Sequence, residues 1–138
     1  MGTILRTVDS VGLTQILVSK GTADAFNPKV VRSTMGAIFR VKIIECEDLK
    51  KTLKEIKKHK FKLVVTSLDT TDSFYDISYN KKVIIIGNEA NGVEKEIQEI
   101  ADNKVIIPML GKTESLNASV ATGVILYEYV RQKLSKWD

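Results

Sequence analysis

Several segments of this 138-residue chain carry residue types that core packing does not require. One is Gly87, Asn88, Glu89, Ala90, Asn91 and Gly92, directly after the apolar run at residues 83–86. Glycines there enclose amides and a carboxylate, and glycine lets a backbone approach a ligand closely or take positive φ. A plain strand-to-helix turn, with Asn91 and Gly92 as turn residues, explains the segment as well as a ligand loop does. A nucleoside triphosphate is excluded. Gly87 and Gly92 have P-loop spacing, but Val93 stands where lysine is required. Gly111, Lys112 and Thr113 have the P-loop ending, but Ile106 stands where its first glycine belongs.

The next segment runs from Ile106, Ile107, Pro108, Met109, Leu110 and Gly111 into Glu114, Ser115, Leu116, Asn117, Ala118 and Ser119. Ser115 or Asn117 suits the cap of a following helix. Capping accounts for one polar residue. It does not account for small residues continuing through Ala121, Thr122 and Gly123, which suggest close backbone packing or a ligand against the helix start. The last segment is Gly2, Thr3, Ile4, Leu5, Arg6 and Thr7. An arginine on a core-facing helix is costly unless it is paired or faces a cleft. The other reading is a surface arginine with its stem laid over apolar neighbours. No His, Cys, Asp or Glu cluster has the look of a metal site.

Positioning these segments falls to helices and strands that alternate along the chain. Residues 3–11 are predicted helical, stopping at Gly12 as a C-terminal cap. Residues 15–19 read as a strand. Asn27 and Pro28 open a helix that reaches residue 35. Residues 40–44 are extended. Residues 47–59 form a helix with Leu49, Leu53 and Ile56 on one side and lysines on the other. Residues 61–66 form a buried strand, 67–80 a polar loop and 82–86 a strand. Residues 93–101 are helical, 104–107 a strand, and 117–134 a closing helix. Strands separated by helices imply an α/β fold, a mainly parallel sheet flanked by helices. Ligands of such sheets sit beyond the carboxyl ends of the strands.

A hydrophobic fraction of 43% and a charged fraction of 28% describe one ordinary soluble domain. No apolar run approaches the roughly 20 residues of a membrane span. Arg6 interrupts the first apolar stretch, so these residues are not expected to form a signal peptide. The lone Cys46 excludes an intramolecular disulfide and suits a reducing compartment, so a cytoplasmic location is expected. A net charge of +4 and a pI near 9.1 are compatible with a polyanionic partner. Much of that charge sits in Lys50, Lys51, Lys54, Lys57, Lys58, Lys60 and Lys62. With no aromatic interleaving, these lysines read as a solvated helix face, with His59 a surface residue among them.

Together the segments resemble the motifs of the SpoU-type (TrmH-like) RNA methyltransferases of the SPOUT superfamily. The Gly-x-x-x-Arg-Thr pattern is matched by Gly2, Arg6 and Thr7. The Gly-Asn-Glu-x-x-Gly loop is matched by Gly87 to Gly92. Ile-Pro-Met followed by Ser-Leu-Asn-x-Ser-x-Ala is matched by Ile107, Pro108 and Met109, then Ser115, Leu116, Asn117, Ser119 and Ala121. Order and spacing agree over essentially the whole chain. The resemblance implies a domain that transfers a methyl group from S-adenosylmethionine to a ribose 2′-hydroxyl of rRNA or tRNA. It implies a C-terminal deep trefoil knot, an exception to the rule that connections do not thread loops. It also implies a homodimer with the active site near the subunit boundary.

By motif position, the resemblance gives Gly87, Asn88, Gly92, Ile107, Met109, Leu116, Asn117 and Ala118 to the methyl donor, joined by Thr66 and Ser67. It gives Arg6, Glu89, Ser115 and Asn117 to catalysis. A guanidinium with a pKa above about 12 is a poor base. Holding the target phosphate and stabilising a developing alkoxide is the physically safer role for Arg6, and the family's proposal of a base acting after RNA contact stays open. Glu89 is suited to pair with Arg6 before RNA arrives, and Asn117 to orient groups and cap the helix. The family's asparagine two residues before Gly2, its preceding strand and the N-terminal RNA-binding domain of many relatives have no counterpart in these residues. Residues 1–138 are therefore expected to be an N-terminally shortened SPOUT methyltransferase domain. The rival readings are a non-catalytic knotted module for RNA binding or assembly, and a different nucleotide-binding α/β enzyme such as a dehydrogenase. The dehydrogenase is disfavoured because no Gly-x-Gly-x-x-Gly follows the first strand.

Overall fold

The computed structural model describes residues 2–19, 40–87, 92–113 and 115–136, in two compact units, residues 1–52 and 53–138. The helix expected at residues 27–35 lies outside the described residues.

In the first unit, α1 (Gly2–Ser10) ends in a Schellman motif. Gly12, at φ +82°, donates its N–H to the Asp9 carbonyl at 3.0 Å, and Leu13 donates to Val8 at 3.2 Å. Strand β1 (Gln15–Ser19) matches the expected strand and pairs in parallel with β2 (Lys42–Cys46). β2 begins two residues later than expected, because the approach to it is committed elsewhere. Val41 is buried, and the Arg40 guanidinium forks onto Asp9, with Nε–Oδ1 at 3.0 Å and Nη2–Oδ2 at 2.7 Å. Helix α2 (Leu49–Lys57), which spans the division between the two units, also starts two residues later than expected. Asp48 takes the cap position, accepting the Lys51 N–H on Oδ1 at 3.2 Å.

In the second unit, β3 (Lys62–Thr66) lies between β4 (Lys82–Ile85) and β5 (Asn103–Val105), all parallel. Leu63, Val64 and Val65 are fully buried, as a strand covered on both faces requires. The expected polar loop at 67–80 is more ordered than its composition suggests. It holds a short 3₁₀ turn, Phe74–Asp76, and runs beside the end of β5. Ile106 donates its N–H to Asp72 at 2.8 Å and accepts that of Phe74 at 3.0 Å. Ile106 thus pairs with Ser73, and the strand expected at 104–107 stops as β5 at Val105.

Helix α3 (Lys95–Ile100) is shorter than expected. Val93 is buried ahead of it, with its carbonyl taken by the Gln98 side chain at 2.8 Å. Helix α4 (Ala118–Lys136) buries Thr122, Ile125, Leu126, Glu128 and Gln132 along one face. The core gathers Val64, Phe74, Tyr79, Val105 and Ile125. Burial, with the charge of Glu128 nearby, pushes the Tyr79 hydroxyl well above its ordinary pKa. It stays protonated and donates to the Phe74 carbonyl at 2.5 Å. Among the described residues, no helix is long and apolar enough to cross a membrane.

Candidate active site in a cleft at the strand ends

A cleft of about 1050 Å³ opens in the second unit where the parallel strands end. Thr66 ends β3 and Ser67 follows it, Ile86 and Gly87 follow β4, and Ile106 and Ile107 follow β5, and all of these line it. In a parallel sheet, residues following neighbouring strands emerge side by side at one edge. Met109, Ser115, Leu116 and Ala118 close the side formed by the start of α4. The segments around Gly87, Ile107 and Leu116, far apart in sequence, therefore border one cavity.

Local bonding sets the shape of the walls. The Ser67 N–H donates to the Val105 carbonyl at 3.0 Å, and its Oγ accepts the Asp69 N–H at 3.0 Å, turning the chain away from the sheet. Gly87 packs against its own loop. A Cβ there would collide with the Gly92 carbonyl carbon and the Val93 nitrogen, and would lie 2.6 Å from the Gly92 oxygen. Gly92 itself sits at φ +66°, a conformation glycine reaches without strain. At the head of α4, Asn117 Oδ1 accepts the Val120 N–H at 2.9 Å and caps the helix.

Of the residues expected to hold the donor, Thr66, Ser67, Gly87, Gly92, Ile107, Met109, Leu116 and Ala118 lie along the cleft. Asn117 does not line it, and its carboxamide oxygen is engaged in the cap. Asn88 and Glu89 lie outside the described residues. Ser115 lines the cleft with an exposed side chain. Arg6 belongs to the first unit, where α1 buries Leu5 and Val8 and leaves Arg6 exposed. No burial cost attaches to its charge.

Sequence reasoning missed the rim. Four carboxylates, Asp69, Glu94, Glu96 and Glu99, border the cleft with two lysines, Lys95 and Lys104. These residues belong to no motif. Ile86 and Ile106, by contrast, were within reach, because each directly follows a strand. Apolar side chains beside strand-end backbone suit a purine ring, and an excess of carboxylates suits a cation. An S-adenosylmethionine molecule combines both features, so the residues present fit that group.

A cleft beyond the carboxyl ends of parallel strands is where α/β sheets of this class hold their ligands. Residues 1–127 match the SpoU rRNA Methylase family, and the chain belongs to that family. It is 34% identical over 128 residues to the 23S rRNA (guanosine(2553)-2′-O)-methyltransferase RlmP of Bacillus subtilis (strain 168), covering 92% of this chain and 51% of the relative. It is 38% identical over 137 residues to the tRNA (guanosine(18)-2′-O)-methyltransferase of Aquifex aeolicus (strain VF5), covering 96% of this chain and 64% of that protein. The chain thus spans about half to two thirds of the length of these curated relatives. The crystal structure of the SpoU methyltransferase AviRb from Streptomyces viridochromogenes in complex with the cofactor AdoMet superposes with a TM-score of 0.89 at 31% identity, over 97% of this chain and 55% of that one.

Proposed function

We propose that the chain is the methyltransferase domain of an S-adenosylmethionine-dependent enzyme acting on a ribose 2′-hydroxyl of rRNA or tRNA. The observation that carries this reading is the meeting of the Gly87, Ile107 and Leu116 segments on one cleft. The relatives' named activities, on rRNA and tRNA guanosines, support the substrate class.

When bound, S-adenosylmethionine supplies a methyl group made electrophilic by its sulfonium. The chain's task is to orient the weak ribose nucleophile and to stabilise charge on its oxygen. Ile107, Met109 and Leu116 serve the donor's apolar surface, and backbone groups after β3 and β4 serve its polar edges. Arg6 grips an RNA phosphate and stabilises the developing alkoxide. Ser115 and Glu89 assist placement, and Asn117 keeps the start of α4 in position.

The proposal extends to the assembly. Val120, Tyr127 and Leu134 are exposed on α4 at intervals of seven residues, and so share one side of the helix. That stripe supports a homodimer, the state in which the family's active site is complete. The C-terminal trefoil knot is part of the same reading. Ribosomal and transfer RNA as substrates, with a lone buried Cys46, support a cytoplasmic location.

The test is calorimetric titration with S-adenosylmethionine, together with mass-spectrometric mapping of 2′-O-methyl nucleotides in rRNA and tRNA from cells lacking the gene. Binding, with one or more methylations lost, is the expected result. Donor binding with an unchanged methylation map would favour a non-catalytic relative. No donor binding would overturn the reading.

A further inference from the structure

The amino ends of β3 and β4 carry a concentration of lysine that the cleft at the opposite end of the strands does not use. Lys62 and Lys82 are register partners on adjacent parallel strands, so their side chains leave the same face. Like charges placed side by side in this way repel. The corner leading into each strand is also lysine. Lys60 (φ +70°) ends the turn after α2, and Lys81 (φ +54°) precedes β4. The corners touch, because the Lys62 N–H donates to the Lys81 carbonyl at 3.2 Å.

Left-handed backbone favours glycine or asparagine, and a long side chain there is strained. Both corners nevertheless hold an exposed lysine. Lys54 on α2 and Lys58 in the turn after it are also exposed. The carboxylates engaged among the described residues of this end are Glu55, paired with Lys58 at 3.0 Å, and Asp102, 3.5 Å from Lys57. They do not balance the lysines. Lateral repulsion and unfavourable backbone geometry are thus both tolerated at one pole of the sheet. The partner that repays them is a closely spaced polyanion.

We infer that this pole, formed by Lys60, Lys62, Lys81 and Lys82, is a docking surface for the phosphodiester backbone of the RNA substrate. The inference rests on the proposed RNA methyltransferase activity and assigns it a second contact remote from the chemistry. From Lys62 to Thr66, at the cleft, the strand rises only roughly 13 Å. An RNA held at this pole is in reach of the cleft without entering it. The contact is electrostatic and blind to sequence, so it sets affinity and leaves the choice of nucleotide to the cleft.

The experiment compares the chain with a Lys60→Gly/Lys81→Gly variant. Glycine relieves the left-handed strain, so the variant keeps or gains thermal stability. Binding of a fluorescein-labelled tRNA transcript is followed by anisotropy across a salt series, and S-adenosylmethionine binding by calorimetry. The expected result is RNA affinity lowered about threefold to tenfold in the variant, a salt dependence shallower by about one unit per lysine removed, and unchanged donor affinity. RNA affinity and salt slope equal to the parent's would overturn the docking surface while leaving the methyltransferase reading intact. A parent chain that binds neither donor nor transcript would overturn both. Loss of binding to phosphatidylserine vesicles, with RNA binding unaltered, would reassign the pole to a membrane surface and overturn the inference.

Discussion

The backbone N–H of Tyr79 donates to Gln132 Oε1 at 2.9 Å, joining residues 53 positions apart. The same Gln132 returns its amide hydrogens to the Ile77 carbonyl at 2.9 Å and to Glu128 Oε2 at 2.8 Å. Glu128 is held in turn by Arg131, with Nε–Oε1 at 2.7 Å. One helix therefore acts at both ends of the segment after β3. Ala118 and Ala121, at the start of α4, share the cleft with Ser67 and Leu68. Farther along, Gln132 fixes the segment's far end. The cleft wall is thereby tied to the core by hydrogen bonds as well as apolar packing.

Gln132→Leu keeps the bulk and removes the three bonds that Gln132 makes, to Tyr79, Ile77 and Glu128, leaving the Arg131–Glu128 pair in place. It leaves the buried Tyr79 N–H and the half-buried Ile77 carbonyl without their partner, where a fully buried unsatisfied group costs about 1–3 kcal/mol. Unfolding in urea should show a loss of at least about 2 kcal/mol with an unchanged denaturant slope. A midpoint equal to the parent's would mean that water replaces the clamp at no cost.

Glu128 gives the clamp a pH signature. Hydrogen bonding from Arg131 holds its carboxyl below the ordinary value of 4.5, against the opposing effect of burial and with help from Gln132. A depressed carboxyl stabilises the fold fully above its unfolded pKa, and that contribution fades as pH falls through the folded value. Glu128→Gln lacks the contribution at every pH. The stability gap between parent and variant should therefore be widest at neutral pH and narrow below about pH 4. A gap that stays constant from neutral pH to pH 3 would show that the ion pair adds nothing. Asp9, held low by Arg40, acts in the same direction in the parent and the variant, so it cancels in the comparison.

What the sequence made legible was local. Gly12 marked the end of α1 because a left-handed cap calls for glycine, and the Leu63, Val64, Val65 run marked a strand covered on both faces. Pairings between distant residues left no periodic trace. The offset of β2 depends on Arg40 reaching Asp9, 31 positions away. The order in the 67–80 segment depends on Ile106 and Gln132. In the cleft, Gly87 and Leu116 were readable through the motifs that carry the family resemblance, and Thr66 through its place at the end of a strand. Glu94, Glu99 and Lys104 were not, because their place on the rim follows from the strand order β4-β3-β5. Apolar periodicity does not encode that order.

Gly87 and Gly111 offer a paired test of the donor cleft. A Cβ on Gly87 would meet the backbone of Gly92 and Val93, which cannot swing aside as a side chain would, so the loop must shift. A Cβ on Gly111 meets nothing within 4 Å. Calorimetry should therefore show S-adenosylmethionine affinity reduced roughly tenfold or more in Gly87→Ala, an effect of about 1.4 kcal/mol, and left intact in Gly111→Ala. Leu116→Ala, which removes an apolar side chain from the cleft lining, should weaken binding by about 1–2 kcal/mol. Parent-like affinity in both Gly87→Ala and Leu116→Ala would place the donor elsewhere.

Arg6 separates binding from chemistry. Its side chain is exposed on α1, so Arg6→Ala removes no core contact and should leave the unfolding midpoint unchanged. The donor cleft lies wholly within residues 66–121, so S-adenosylmethionine affinity should also be retained. Transfer of a tritiated methyl group to substrate RNA should fall by about 100-fold or more, the scale of losing a group that stabilises developing oxyanion charge. Arg6→Lys keeps the charge but loses the planar fork that grips phosphate, and should recover only part of the rate. If Arg6→Ala transfers methyl groups at the parent rate, the catalytic cation must be sought on another residue, whatever the affinity for the donor.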